Sequence, residues 1–329
     1  MKWTTLPAAL LLCATTANAQ SAGDVGLHLT QTIPLPGVEG RIDHLAIDLA
    51  GRRLFLCALG NNTVEVIDLE KGARLRSITG LGAPQGVAYV PEPSRVFVAM
   101  DKGGLCNFYD GKSFALLGSA DFKDDADNMR YDEIGQRVYV GFGNGGLGIL
   151  DARSGKNIGA IKLSGHPEAF ALEKHGPRIF VNVPGARHVA VVDRDKREVI
   201  ATWKIDEASA NFPIAFDEAN HRLFVGCRLP AKILVLNTDS GAVVTSLGIG
   251  ADVDDIFYDA SRHRLYVICG DGAIDMIEQI DRDSYKMSAK IPTARGSRTG
   301  LFVPELNSLF VAIPRRGSQN AEVRKYSIE

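Results

Sequence analysis

The chain has 329 residues, a formal net charge of −2 and 23% charged residues, the composition of an ordinary folded protein with a sizeable core. It lacks the basic excess that nucleic-acid-binding domains carry, so no nucleic acid is expected as a partner. Length alone would permit two domains, although all-β barrels and propellers exceed the usual domain size as single units.

The first segment of the chain has the pattern of a signal peptide, residues 1–19. Lys2 supplies a positive charge, a short apolar run follows, and residues 17–19 (Ala-Asn-Ala) form a small-x-small cleavage site. The run is too short for a stable bilayer anchor, and no comparable run recurs later in the sequence. We therefore expect one mature domain, residues 20–329, that is periplasmic or secreted and has no membrane anchor.

Cys13 falls in this segment, so four cysteines remain in the expected mature chain. All four lie within or at the end of apolar strand patterns, and none forms a C-x-x-C pair. An even number of cysteines in an oxidising compartment permits disulfides, but the pattern favours small, buried, unpaired side chains. The four are Cys57, Cys106, Cys227 and Cys269.

An internal repeat of 41 to 44 residues runs through the rest of the chain. Its anchor is a short apolar segment such as RLFL, RVFV or RLYV, which begins at residues 53, 95, 137, 178, 222, 264 and 308. An alternating apolar segment and a turn precede each anchor, and further β-rich segments follow it. Four short strands in a repeat of this length are typical of a β-propeller blade. The sequence therefore predicts an all-β, seven-bladed propeller with four-stranded antiparallel blades.

The two ends of the chain predict how the ring closes. The last repeat stops at Glu329, just after its third strand, whereas residues 27–37 resemble fourth strands such as residues 156–165. We expect the N-terminal strand to complete the last blade, which hides strand edges that would otherwise pair with other chains. A ring closed in this way needs no partner subunit, so a monomer is expected.

The anchors and the segments around them resemble those of the YVTN-repeat propellers, the YncE-like group of exported bacterial proteins. The segments RLFVGC, RLYVIC, NNTVEVID and VAVVD carry this likeness. Within that group, GRIDHLAID, FDEANHRLFVGCR and VPELNSLFVAIPRRG resemble a subgroup whose members are sometimes labelled gluconolactonase. The resemblance covers essentially the whole expected mature chain. It implies a seven-bladed propeller, and for function it implies several purposes, lactonase activity among them.

Propeller geometry predicts that the start of each innermost strand lies at one mouth of the central channel. A purely structural role there would predict similar residues in every blade, but aligning the repeats gives unlike polar residues instead. In blade order they are Arg41, Asp43 and His44; Gln85; Asp125, Asp127 and Asn128; His166 and Glu168; Asn211; Asp252, Asp254 and Asp255; and Arg298 and Thr299.

These residue types predict a small-molecule site. Carboxylates crowded into a partly desolvated funnel must take up protons, pair with arginine or bind a cation, here Ca²⁺, Mg²⁺, Mn²⁺ or Zn²⁺. Imidazole and carboxyl groups can also act as general acids and bases. We assign metal binding to Asp125, Asp127, Asp252, Asp254 and Asp255, catalysis to His44, His166, Asp43 and Glu168, and substrate binding to Arg41, Asn128, Asn211, Arg298, Arg228 and Arg315.

An acidic centre with a basic rim favours a small anionic molecule, such as a sugar acid or a carboxylated lactone. Two function classes stay open. The first is a metal-assisted lactone hydrolase or lyase, and the second is a non-catalytic propeller of the cell envelope that binds a ligand or a protein through the same face. For Asp43, Asp127 and Asp254, which share one alignment column, the structural alternative is an Asx-type turn.

Overall fold

A computed structural model describes Met1 and residues 26–329 of the chain. The predicted signal peptide, with Cys13 and the cleavage site, lies outside the described residues apart from Met1. Between residues 26 and 329 no helix is long and apolar enough to cross a membrane.

The described residues form seven four-stranded antiparallel sheets, which confirms the predicted seven-bladed β-propeller. Three single-turn 3₁₀ helices lie between strands, at Leu59–Asn61, Pro184–Ala186 and Pro304–Leu306. Each blade is given from its innermost to its outermost strand. Blades 1 to 3 are β2 (Leu45–Asp48), β3 (Arg53–Ala58), β4 (Thr63–Asp68) and β5 (Ala73–Ile78); β6 (Pro84–Val90), β7 (Arg95–Met100), β8 (Leu105–Asp110) and β9 (Leu116–Asp121); and β10 (Ala126–Asp132), β11 (Arg137–Phe142), β12 (Gly146–Asp151) and β13 (Asn157–Lys162). Blades 4 to 7 are β14 (Phe170–Leu172), β15 (Arg178–Val183), β16 (His188–Asp193) and β17 (Glu198–Lys204); β18 (Ser209–Asp217), β19 (Arg222–Leu229), β20 (Ala231–Asn237) and β21 (Val243–Gly248); β22 (Val253–Asp259), β23 (Arg264–Cys269), β24 (Ala273–Asp281) and β25 (Ser284–Pro292); and β26 (Gly300–Val303), β27 (Ser308–Ile313), β28 (Glu322–Ile328) and β1 (Leu27–Pro34).

The N-terminal strand β1 completes the seventh blade, as the sequence predicts. It runs antiparallel to β28, from the pair Leu27 and Ile328 to the pair Pro34 and Glu322. Leu27 and Ile33 point into the core and are buried. The ring is therefore closed by joining the two ends of the described chain within one sheet.

The core lies between neighbouring blades, and the anchor strands explain why. The aromatic residue of each anchor is fully buried, because β-branched and aromatic side chains pack well on a pleated surface that is covered on both faces. Phe55 of blade 1, for example, stacks on Tyr89 of blade 2 with ring centroids 5.7 Å apart. The seven aromatic anchors are Phe55, Phe97, Tyr139, Phe180, Phe224, Tyr266 and Phe310.

The four cysteines of the described chain are buried and unpaired, as expected. Burial raises the pKa of Cys57, Cys106, Cys227 and Cys269, so their thiols stay protonated. They pack as small apolar residues and offer no thiolate for chemistry.

Candidate functional site

The innermost strand of each blade is an edge strand, and the seven of them surround the central channel. The segment before β2 reaches the channel mouth beside the β3–β4 loop. There the Asp43 amide donates to the Cys57 carbonyl at 2.7 Å, and the Gly60 amide donates to the Arg41 carbonyl at 2.9 Å. This places Arg41, Asp43 and His44 at one mouth of the channel, where propeller geometry predicts them.

Irregular pairing at the start of several innermost strands turns polar side chains toward this mouth. The register shifts between Ala126 and Met129 in blade 3 and between Val253 and Asp255 in blade 6. A bulge of this kind re-aims side chains and is common beside functional sites. As a result, consecutive residues of these blades contribute to the mouth even though β-strand side chains otherwise alternate.

His44 lies between two carboxylates from different blades. Its Nε2 atom is 3.6 Å from Asp43 Oδ1, and its Nδ1 atom is 3.6 Å from Asp255 Oδ1. Asp43 also accepts from Arg41 Nη2 at 2.5 Å, and Asp255 accepts from the Gly300 amide at 2.9 Å. The mouth therefore joins blades 1, 6 and 7 through ion pairs of His44 and a backbone hydrogen bond to Asp255.

Burial and neighbouring charge set the protonation of this group. Burial opposes a charge on His44, but the Asp255 and Asp43 carboxylates outweigh it and raise its pKa to about 10. Burial raises the pKa of Asp43, against the opposing effect of His44 and Arg41. His44 is thus held as an imidazolium and can donate a proton.

We expect the stability of the protein to fall with pH because of His44. A raised pKa in the folded state gives a contribution that is complete below the ordinary value of 6.5 and is lost as the pH approaches about 10. The slope from this one proton is at most about 1.4 kcal/mol per pH unit. Urea unfolding at pH 6.5, 8 and 9.5 should show this decline in the wild type, a flatter profile in His44→Gln, and an unchanged profile in His175→Gln, whose side chain is 87% exposed. Equal slopes in the wild type and His44→Gln would contradict it.

Two arginines form ion pairs with acidic residues of blade 6. Asp254 accepts from Arg228 Nη2 at 2.6 Å and lies 2.8 Å from Arg298 Nε, while Asp252 accepts from Arg298 Nη1 at 3.0 Å. Arg228 also packs over the Phe212 ring, with its Cζ atom 3.8 Å from the centroid. Burial raises the pKa of Asp254, and the two arginines oppose that rise. These two carboxylates are therefore neutralised by protein cations.

A second group lies on blades 3 and 4. Asp127, His166 and Glu168 each offer one ligand atom, and these atoms all lie within 4.8 Å of one another. His166 Nδ1 is 2.7 Å from the Gly143 carbonyl oxygen, which orients the ring, and Nε2 is 3.8 Å from Asp127 Oδ2. In contrast to Asp254, no arginine of the described residues lies within salt-bridge distance of Asp127 or Glu168. Among the described residues, these three side chains bring their ligand atoms close enough together to hold one ion.

Burial and neighbouring carboxylates shift the pKa values of His166 and Glu168 in this second group. The Asp127 carboxylate, with Oδ2 3.8 Å from Nε2, raises the pKa of His166, while burial opposes the rise. Burial raises the pKa of Glu168, and the nearby Asp127 and Asp254 carboxylates raise it further. Asp127, His166 and Glu168 therefore bring three acid–base side chains to one small volume, and such clusters are common at functional sites.

The remaining candidate residues are placed at the edge of the mouth or beneath it. Asp125 accepts from Gln85 Nε2 at 2.9 Å, and Thr299 donates to the Ile42 carbonyl at 3.4 Å. Arg315 pairs with Glu39 on the exposed surface. These contacts join neighbouring segments around the entrance.

The two asparagines are buried. Asn211 is fully buried and donates to Asn182 Oδ1 and to the His188 carbonyl, both at 3.0 Å. Asn128 is also buried and accepts from Arg130 at 3.4 Å. The structure thus keeps these two side chains away from the open part of the mouth, in contacts within and between the blades.

Arg130 is a channel residue that the alignment of mouth positions does not include. It lies on β10 below Asp127 and lines a cavity of about 910 Å³ to which all seven innermost strands contribute. His44 and Asp255 line the inner end of the same cavity. A sequence signal exists, because the corresponding position in the other blades is Ala, Phe or Leu.

No protein-family model matches the sequence, and no curated protein matches it. Solved structures do resemble the fold. A chain in the crystal structure of a mitotic checkpoint complex superposes with a TM-score of 0.78 at 15% identity, covering 98% of this chain and 99% of that one. A chain of Kuenenia stuttgartiensis hydrazine synthase gives 0.76 at 14% identity, covering 90% of this chain and 99% of that one. At these identities the likeness shows a seven-bladed β-propeller and nothing about activity.

Proposed function

We propose that this propeller is an exported member of the YVTN-repeat group that binds a small anionic, carbohydrate-like molecule at its channel mouth. We further propose that it hydrolyses a lactone, or carries out a related elimination, with the help of a divalent cation. The resemblance of the repeat segments supports the group. The polar residues that differ from blade to blade support the site.

One observation carries the proposal: the ligand atoms of Asp127, His166 and Glu168 all lie within 4.8 Å of one another. Oxygens that share one Ca²⁺ at about 2.3–2.6 Å lie at most about 5 Å apart, so small side-chain movements suffice for chelation. Two carboxylates and one imidazole also suit Mn²⁺ and Zn²⁺.

The neighbouring residues supply what lactone hydrolysis needs. Asp127, His166 and Glu168 would hold the cation, which would supply Lewis-acid polarisation of the ring carbonyl and make it more susceptible to attack by water. Water adds to the carbonyl carbon, the ring ester C–O bond breaks, and the leaving alkoxide oxygen takes a proton from His44, whose raised pKa keeps the imidazolium form available. The new carboxyl group then releases the proton that came with the water, which restores the imidazolium. We assign the substrate carboxylate to Arg41, and the 45% exposure of its side chain at the mouth supports this role.

The test is hydrolysis of a panel of sugar lactones, followed by pH-stat, with Ca²⁺, Mg²⁺, Mn²⁺ or Zn²⁺ added to chelator-treated protein. We expect cation-dependent turnover that falls at least about 100-fold in Glu168→Gln, because one ligand is lost while the volume is kept. Glu198→Gln on the exposed outer strand β17 is the matched control and should keep wild-type turnover.

Two results would contradict the catalytic proposal. The first is the absence of lactone opening or uronate elimination with every cation. The second is a lactone that stabilises the protein against heat and is recovered unchanged, which identifies a binding protein of the envelope instead.

A further inference from the structure

The innermost strands carry one charged residue at a position that is apolar in the other blades. The position compared is the residue of each innermost strand that pairs with the anchor aromatic of the next strand. In blade order it is Ala46, Ala88, Arg130, Ala171, Ala215, Phe257 and Leu301. All seven blades have the same packing problem there. A guanidinium in blade 3 alone is therefore unexplained by the repeat.

The guanidinium of Arg130 is only partly satisfied by the protein. Its Nη1 atom donates to the Met129 carbonyl at 2.7 Å and to Asn128 Oδ1 at 3.4 Å, and its Cζ atom lies 5.5 Å from the centroid of the Phe170 ring. Unlike Arg228 and Arg298, it has no carboxylate oxygen within 4.0 Å among residues 26–329. Its side chain lines the cavity, so the remaining N–H donors are available to a guest.

The walls below Arg130 are apolar and aromatic. The next residue along each innermost strand is large and half-buried, and together these residues form a collar around the channel. The cavity continues past the collar to Glu133, Ile134, Lys174 and His175, in turns on the face opposite the acid–base groups. Ile134 is 76% exposed there. The collar residues are Ile47, Tyr89, Tyr131, Leu172, Phe216, Tyr258 and Phe302.

We propose that this channel is a second binding site, for a monocarboxylate with an apolar body that enters from the face opposite the acid–base groups. The carboxylate accepts hydrogen bonds from Arg130, and the apolar body lies within the collar. The site uses none of the three residues of the proposed cation group, although His44 and Asp255 line the inner end of the same cavity. It stands whether or not the protein turns over a lactone.

Charge, lining and size each select this chemistry. A guanidinium without a protein carboxylate favours an anion with two acceptor oxygens, and hydrogen bonds between charged partners are the strong ones. The collar favours hydrocarbon or aromatic surface over a sugar. The four-residue innermost strands β2 and β26 each span about 13 Å, which matches the length of an eight-carbon chain with its carboxylate. The whole cavity, about 910 Å³, lies within the usual range for ligand pockets.

The test is isothermal titration of the full chain with sodium octanoate and, as the uncharged probe of similar size, with 1-octanol. We expect octanoate to bind at one site per chain and Arg130→Met to weaken it at least about tenfold while 1-octanol changes little. Arg130→Lys should keep part of the preference for the acid. Arg153→Met removes an exposed arginine from the β12–β13 turn, outside the cavity lining, and is the matched control that should leave both affinities unchanged.

A second measurement locates the ligand independently of any variant. Crystals soaked with 8-bromooctanoate should show anomalous bromine scattering among the collar residues and the carboxylate against Arg130. Failure of octanoate to bind the wild type, equal octanoate affinity in Arg130→Met, or bromine elsewhere than in the channel would each overturn the proposal. Loss of binding in Asp127→Asn but not in Arg130→Met would instead assign the carboxylate to the opposite mouth and would also overturn it.

Discussion

Replacing Ile33 by aspartate is expected to lower the free energy of unfolding by about 3–5 kcal/mol, enough to unfold much of the protein at moderate temperature. Ile33 is fully buried in β1 and packs with Leu35, Phe310 and Val323 in the cluster between blades 7 and 1. An unpaired carboxylate there has no hydrogen-bond partner to offset its lost hydration. Because β1 joins the two ends of the ring, the change opens the only blade built from both ends of the described chain.

The matched control is Leu29→Asp in the same strand, where the leucine is 51% exposed. A change at an exposed position should alter the stability by less than about 0.5 kcal/mol. Urea unfolding followed by circular dichroism measures both variants. Equal stability of Ile33→Asp and Leu29→Asp would show that β1 does not close the ring as described.

The fold could be predicted from the sequence because the same packing problem recurs seven times. The anchor aromatics such as Phe55 and Phe310 mark a strand buried on both faces, and their even spacing gives the number of blades. The closing strand could also be predicted, since the last repeat lacks a fourth strand and residues 27–37 supply one. Each repeat is weak evidence for a blade by itself, but seven repeats at nearly equal spacing together specify the fold.

Pairing within the mouth could not be predicted in the same way. The alignment places Asp127 and Asp254 in one column, but only Asp254 lies between two arginines, Arg228 and Arg298. Which cation reaches which carboxylate depends on bulges and side-chain directions that vary between blades. The position of a residue in the repeat therefore predicts that it lies at the channel mouth, but it does not predict which side chain it pairs with.

The charge of Arg130 is also visible in the sequence. The predicted site residues lie where polar residues gather, at the starts of the innermost strands. Arg130 lies further along β10, at a position where the other blades have apolar residues, so its charge stands out only when that position is compared across all seven blades.

The second large effect concerns the cation. We expect Asp127→Asn and His166→Ala each to weaken divalent-cation binding at least about 100-fold, because each removes one of the three ligands of the proposed site and leaves too few donors to replace the hydration shell. The matched controls are Asp206→Asn, in an exposed loop, and His175→Ala, on the opposite face. Both should bind the cation as the wild type does.

Electron paramagnetic resonance of Mn²⁺ titrated into chelator-treated protein tests this most directly, since the signal of the free ion reports binding without any assumption about substrate. The account predicts one Mn²⁺ per chain, held by the wild type and by both controls and released in Asp127→Asn and His166→Ala. Wild-type protein that leaves the free-ion signal unchanged, or binding that survives both substitutions, would contradict the claim that side chains from blades 3 and 4 form a cation site at the channel mouth.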